Sequence, residues 1–427
     1  MGDLRRVTPA GGTEGAPVRP LWRERDFVVF WGAQTFSVAG DSFAYVAVPL
    51  LVLHVTGSVA QMGLLTGVAG VASIVAGLFA GALVDRFDRR ALLIYCDLAR
   101  VVSYGLIPLA WTFGPQVWLL YVVLPVSEAI GMVFQVTYVT AVRTLVRDDR
   151  VTEANGLLYA TYAAAGIAGP LLAGLVTERF GATAAVAVNA ASFAVSVVGI
   201  RLIRFGGQAT APDGQAVPAR QGPWRELLAG VRFLWRHPVL RPLTVLLSFL
   251  VFLTYGLTDV LIYFFKHDLG RSDGEVGVIL AIAGLGTIAG SLLAAPVRRR
   301  LWFGASWIGA QAVGALAMAG IGLSGDIPVI TALAAAYLAC ASVAGISSMS
   351  LRQQVTPDRL LGRVTSAFWT IHNSTGPVGA ALLTWMAGRY GAAEVFLLAG
   401  GGCLLIAVAA LLTPVRRAAP EQPEHTV

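Results

Sequence analysis

The sequence predicts an all-α membrane protein of twelve transmembrane helices arranged as two six-helix pseudo-repeats. Three observations predict it. Hydrophobic residues make up 56% of the 427 and charged residues only 13%, about half the charged share of a soluble domain. Twelve apolar stretches occur, each long enough to cross a hydrocarbon core of about 30 Å at 1.5 Å per residue. A long polar interruption after the sixth divides the chain into two halves whose sequences are weakly alike.

The spans read as 27–53, 61–84, 91–113, 117–142, 155–178 and 182–204, then 242–265, 275–297, 302–323, 328–350, 364–387 and 393–414. If the N-terminus lies inside, 26 of the 31 Lys and Arg fall on the inner side. Only Arg179, Lys266, Arg271 and Arg389 fall outside, and Arg100 sits within the third span. Positive charge is retained in the cytoplasm, so both termini are expected there, in a multi-pass protein of a bacterial plasma (inner) membrane. The net charge of +7 then follows topology, and no nucleic-acid-binding face is implied.

The resulting organisation is a cytoplasmic tail (1–26), a first half (27–204), a cytoplasmic linker (205–241), a second half (242–414) and a cytoplasmic tail (415–427). The first twenty residues lack the apolar core of a secretory signal. Within the linker, GGQATAPDGQAVPARQGP is flexible by composition. After it, Trp224, Leu227, Leu228, Val231, Leu234 and Trp235 recur at helical spacing among arginines, the pattern of an amphipathic helix on the inner membrane surface.

Residues 142–182 resemble residues 351–392 at an offset close to 209. Arg143 matches Arg352, Asp149 and Arg150 match Asp358 and Arg359, Gly169-Pro170 matches Gly376-Pro377, and both segments close on Arg-aromatic-Gly. Repeated halves are a feature of transporter folds, whose substrate site lies at the repeat interface near the midplane.

Between the second and third spans stand Gly81, Asp85, Arg86, Phe87, Asp88, Arg89 and Arg90. This pattern resembles the signature loop of the major facilitator superfamily of secondary transporters, with Asp88 where that family usually has glycine. The resemblance implies that Gly81 permits close helix approach, while Asp85 with Arg86, Arg89 and Arg90 latches one conformation. In the fifth span, Gly156, Gly169, Pro170 and Gly174 resemble the glycine-proline motif of the superfamily's antiporters, with alanine at 165 and 173. SVAGDSFAYVAVPLLVL and IYCDLARVVSYG look like the macrolide-efflux and enterobactin-exporter branch. The resemblance spans nearly the whole chain and implies multidrug export of the kind that gives antibiotic resistance.

Acids inside spans are the candidate chemistry, because a carboxylate at a helix centre costs at least ~2.5–3.5 kcal/mol unless it faces a cavity or partner. Asp41 shares a helical face with Gln34 and Tyr45 on the first span, and Glu128 shares one with Gln135 and Tyr138 on the fourth. Two polar faces with a central acid suggest a water-lined passage and uptake of protons. Either acid also fits a second role, pairing with a polar neighbour to fix helix packing. The fourth span lacks the arginine many proton-coupled exporters carry there, so Glu128 fits either direct binding of a cationic drug or proton carriage. Asp259, with Phe252, Tyr255 and Tyr263 on its side of the seventh span, suits an amphipathic cation, although aromatic residues also anchor membrane interfaces. Asp97 and Arg100, three apart on the third span, read as a gating ion pair, with each other or with the signature loop. His372 and Asn373 belong to a polar patch beside Gly376-Pro377, where His372 fits either a titrating or a hydrogen-bonded structural role.

Cys96, Cys340 and Cys403 are scattered within spans, so neither a metal site nor a disulfide framework is expected, and no cofactor is indicated. The single lysine, Lys266, lies in no phosphate-binding loop, so ATP is not the expected energy source and the chain is not read as an enzyme. The expectation is a secondary transporter, functional as a monomer, that exports a bulky amphipathic small molecule by proton antiport with alternating access. Two alternatives stand beside it. A nutrient importer of the same fold predicts substrate-dependent growth loss on deletion, and a non-transporting receptor or assembly protein predicts no transport at all.

Overall fold

The computed structural model describes residues 21–146, 150–203 and 223–416. Most of both expected tails, Asp149, and the flexible part of the linker lie outside those residues. The first six spans are α1 (Arg25–Thr56), α2 (Val59–Arg86), α3 (Arg89–Trp111), α4 (Val117–Leu145), α5 (Val151–Phe180) and α6 (Ala182–Leu202). Their turns are chemically specified. Gly57 caps α1 at φ 62°, a left-handed conformation that suits glycine, and Ser58 accepts from Gln61 N–H to start α2. Asp88 starts α3 by accepting from Ala91 N–H at 2.8 Å, so the residue that departs from the signature loop serves as a helix cap.

The amphipathic linker helix is α7 (Pro223–Arg236), which packs on α12 (Asp358–Ser374). Gly230 lies against the Arg363 backbone and Leu234 is fully buried, while Leu228 and Trp235 remain exposed.

The second half departs from the expected simple spans in two ways. Its seventh span is broken into α8 (Leu240–Thr254), α9 (Leu257–Tyr263) and a π-helical turn, Phe264–Asp268. Its eleventh span is broken at Thr375 into α12 and α13 (Gly376–Tyr390). The expected eighth and ninth spans form one helical run, α10 (Asp273–Leu323), which reverses at Trp302 with φ 59° and ψ −178°. The remaining spans are α11 (Ile327–Val355) and α14 (Ala392–Leu411). Ten described segments are long and apolar enough to cross a bilayer; separating the two arms of α10 and joining α12 to α13 gives twelve.

Within the first half, α1 packs on α5 and α6, α2 on α4, and α3 on α4 and α6; within the second, α10 packs on α11 and α14, and α8 on α13. The halves meet through α2 against α13 and α5 against α10. The repeat relates α5 to the α12–α13 span and α2 to the first arm of α10, so one interface is the pseudo-twofold image of the other. This explains why small residues recur at matching positions: Gly67 lies against Pro377, and Gly174 against Gly277.

These cross-half contacts gather at one end. They use the last turns of α1 and α5 and the first turns of α2 and α10, all remote from the N-terminus. At the opposite end, among the described residues, nothing outside the local helix backbone lies within 4 Å of where a Cβ at Gly81 or Gly156 would stand. The close helix approach expected at Gly81 is therefore not seen among those residues in this conformation. Val75, Phe79, Leu109, Val198, Leu292 and Leu405 lie exposed on the outside, an apolar surface suited to acyl chains.

Candidate functional site

Between the halves lies a cavity of about 750 Å³. From α1 it is lined by Gln34, Asp41 and Tyr45, from α3 by Arg100 and Tyr104, and from α4 by Glu128, Phe134 and Gln135. Tyr162 enters from α5, Tyr337 from α11, and Tyr255 and Asp259 from the region where the seventh span breaks. Among the described residues lining it are three carboxylates and one guanidinium.

Arg100 Nη2 donates to Asp41 Oδ1 at 2.6 Å. Its guanidinium rests 3.8 Å above the Phe193 ring and lies against Gly131, one turn beyond Glu128 on α4. The gating pair expected between Asp97 and Arg100 is thus secondary, at 3.9 Å. Arg100's short bond goes across helices to an acid on the cavity wall. The cation absent from the fourth span is supplied by the third, and its spacing three residues after Asp97 masked that partner.

Asp259 is almost fully buried and accepts from Thr66 Oγ1 at 2.7 Å, across the two halves. Next to it, Tyr45 and Thr258 share a hydrogen bond of 2.8 Å, also across the halves. Tyr255 packs on Gly70 and Gly376, so both helix breaks sit at cavity level. Thr375 at the second break donates to Ser248 C=O at 2.8 Å, which ties that break to α8. Broken helices at the repeat interface are where transporters place substrate groups.

Four expected site residues stand elsewhere. Tyr138 stacks on Phe30 at 5.5 Å and is buried in the core, away from Glu128's open face. His372 stacks on Phe368 at 5.1 Å, beneath Arg352, whose guanidinium is 3.6 Å above the same ring. Neither His372 nor Asn373 lines the cavity, because the helix break at Thr375 turns that patch into the second half. Tyr263, taken as a neighbour of Asp259, instead stacks on His267 at 4.7 Å.

Of the gating candidates, Asp85's side chain lies outside the described residues. Arg90 donates to Arg201 C=O at 2.6 Å and binds the loop to the end of α6. Arg86 is exposed and Arg89 half-buried. Gly169 lies against Ser42 on α1, Pro170 C=O against Gly277, and Gly174 against the backbone of Asp273 and Gly277. At the same end Asp273 binds Lys266 at 2.7 Å and His54 at 3.3 Å, the latter across the halves.

Two six-helix halves that enclose a central polar cavity closed at one end have the architecture of a membrane transporter. The Major Facilitator Superfamily profile matches residues 30–379 and again 244–426, and the chain belongs to that superfamily, whose members are transporters and not enzymes. It is 28% identical over 385 residues to the multidrug efflux pump Tap of Mycolicibacterium fortuitum, covering 88% of this chain and 92% of that one. It is 26% identical to the enterobactin exporter EntS of Shigella flexneri, covering 90% of each. Among solved structures it superposes on a bacterial homolog of the human lysosomal transporter Spinster in an inward-facing, unoccupied conformation, with TM-score 0.70, 15% identity, and 95% and 97% of the two chains covered. It also superposes on the nucleoside transporter NupG, with TM-score 0.73, 12% identity, and 91% and 98% covered.

Proposed function

We propose that this transporter exports amphipathic organic cations in exchange for protons, as a monomer in the bacterial inner membrane with both termini cytoplasmic. The observation that carries the reading is the charge of the cavity. Among the described residues Asp41, Glu128 and Asp259 face it with Arg100 alone to balance them, and an excess of carboxylates within a membrane-spanning cavity favours a bound cation or protons. The tyrosines at 45, 104, 162, 255 and 337 supply apolar faces with polar rims for the remainder of such a molecule. A catecholate siderophore, an anion, meets the wrong sign of charge, so the reading favours the drug-pump relatives over the siderophore exporter. With the termini inside, as the distribution of Lys and Arg supports, the open end faces the cytoplasm and a substrate there has access to the acids.

The test is reconstitution in liposomes holding a pH-sensitive dye, with an imposed proton gradient. Cationic dyes and macrolides should trigger proton movement in wild type, catecholates should not, and Asp41→Asn or Glu128→Gln should suppress the response. Proton movement driven by catecholates alone would reject the cation assignment. No movement with any compound would reject exchange and favour the importer or receptor alternatives.

A further inference from the structure

Asp97 is fully buried on α3 and does not line the cavity; its polar neighbours among the described residues are the Ser196 hydroxyl and Arg100. The charged group beside it is Arg100, whose Nη1 stands 3.9 Å away while Nη2 is held by Asp41 at 2.6 Å. One guanidinium therefore stands between two carboxyls and serves one of them. A carboxyl in that position, fully buried and with its cation engaged elsewhere, is costly to keep as an anion.

The groups facing this pair are Asp41 and Gln34 on α1, Cys96 and Tyr104 on α3, Glu128 on α4, and Ser196 and the Phe193 ring on α6. Gln34 lines the cavity and donates to Ser196 Oγ at 3.4 Å, and Ser196 neighbours Asp97. A polar path thus leads from cavity water to a carboxyl that the substrate itself never touches.

We infer that Asp97 carries the proton exchanged for substrate and that Arg100 is the moving counter-ion: a cation that takes Asp41 frees the guanidinium to close on Asp97, whose proton leaves. The O–H bond of Asp97 breaks and the proton passes by the Ser196 hydroxyl to cavity water. The new carboxylate pairs with Arg100, which needs to move about 1 Å to reach charge-assisted hydrogen-bond distance. One positive charge enters as one departs, so the buried charge is unchanged. Asp41 is then the substrate's anchor and Asp97 the exchange site. This inference rests on the exchange reading above.

The experiment uses the full-length solubilised protein in weak buffer with a pH indicator, titrated with tetraphenylphosphonium. Wild type should release about one proton per cation bound, and its affinity should rise roughly tenfold per pH unit across the release range, as one-proton linkage requires. Asp97→Asn should bind with an affinity that no longer rises with pH and release none. Release retained in Asp97→Asn overturns the relay and leaves proton exchange standing. A wild type that binds without release overturns exchange and the relay together, and one that does not bind overturns the cation reading and the relay. Should Asp97→Asn fail to fold, infrared difference spectra decide the matter. The protonated-carboxyl band lost on cation binding must shift in Ser196→Ala, whose hydroxyl meets Asp97, and a band that stays at its wild-type frequency overturns the assignment.

Discussion

Replacing Gly277 with alanine should open the closed end of the transporter. A Cβ built there would lie 2.5 Å from Pro170 O, 2.8 Å from Gly174 Cα and 3.2 Å from Gly174 N, against ordinary separations of about 3.5–4.0 Å between carbons. All three atoms are backbone, so no rotamer relieves the clash and α5 must move away from α10 by several tenths of an ångström or more. Overpacking of this kind costs about 1–3 kcal/mol. The cost falls only on the state in which these helices touch, so the balance should move about 5- to 150-fold toward the state open at that end. Spin labels at Phe113→Cys and Leu323→Cys, both on exposed outer positions, in a background lacking Cys96, Cys340 and Cys403, would report the separation by pulsed electron resonance. The expected result is a longer distance population that grows from wild type to Gly277→Ala and further in Gly277→Val. Gly286→Ala is the control: its new methyl meets the Ala335 backbone within the same half, so it should lower thermal stability without lengthening that distance. An unchanged distribution in both Gly277 variants would refute the assignment of α5–α10 contact as the seal.

Three further outcomes follow from local geometry. Thr66→Val removes the donor at 2.7 Å from Asp259; hydrogen bonds between membrane helices are worth on average about 0.6 and at most about 1.7 kcal/mol, so the same label pair should show up to roughly a twentyfold shift toward the open outer end. Trp302 holds φ 59° and ψ −178° while well exposed, a backbone region nearly restricted to glycine and costing about 1–3 kcal/mol. Trp302→Gly should therefore raise the thermal midpoint in detergent, and a lower midpoint would refute the strain argument. His237, in the turn between α7 and α8, accepts at Nδ1 from the N–H groups of Val239 and Leu240 at 3.2 Å each, and burial moves its pKa below the ordinary histidine value. A depressed value means the neutral ring is favoured in the fold. The stabilisation is thus full above about pH 6.5 and lost as pH falls through the lower folded-state value. The wild-type midpoint should decline on acidification by a component that His237→Gln lacks.

Span number, the repeat and the face carrying Gln34, Asp41 and Tyr45 were legible in the sequence because each depends on composition or on a 3.6-residue period that a long regular helix preserves. Legibility failed where regularity ends. Nothing apolar or charged marks Tyr255-Gly256 as a break, and Gly376-Pro377 read as a packing motif; yet these two interruptions carry Asp259 into the cavity and His372 away from it. The partner of Arg100 was hidden for a different reason. Asp97 is three residues off on the same helix, which makes a local pair the natural reading, whereas the bond to Asp41 depends on how α1 and α3 both stand against α6. Spacing along one helix reports which side chains share its face and says nothing of which neighbouring helix that face meets. That distinction bears on function, because it turns two isolated acids and a local ion pair into one guanidinium placed between a cavity carboxylate and a buried one.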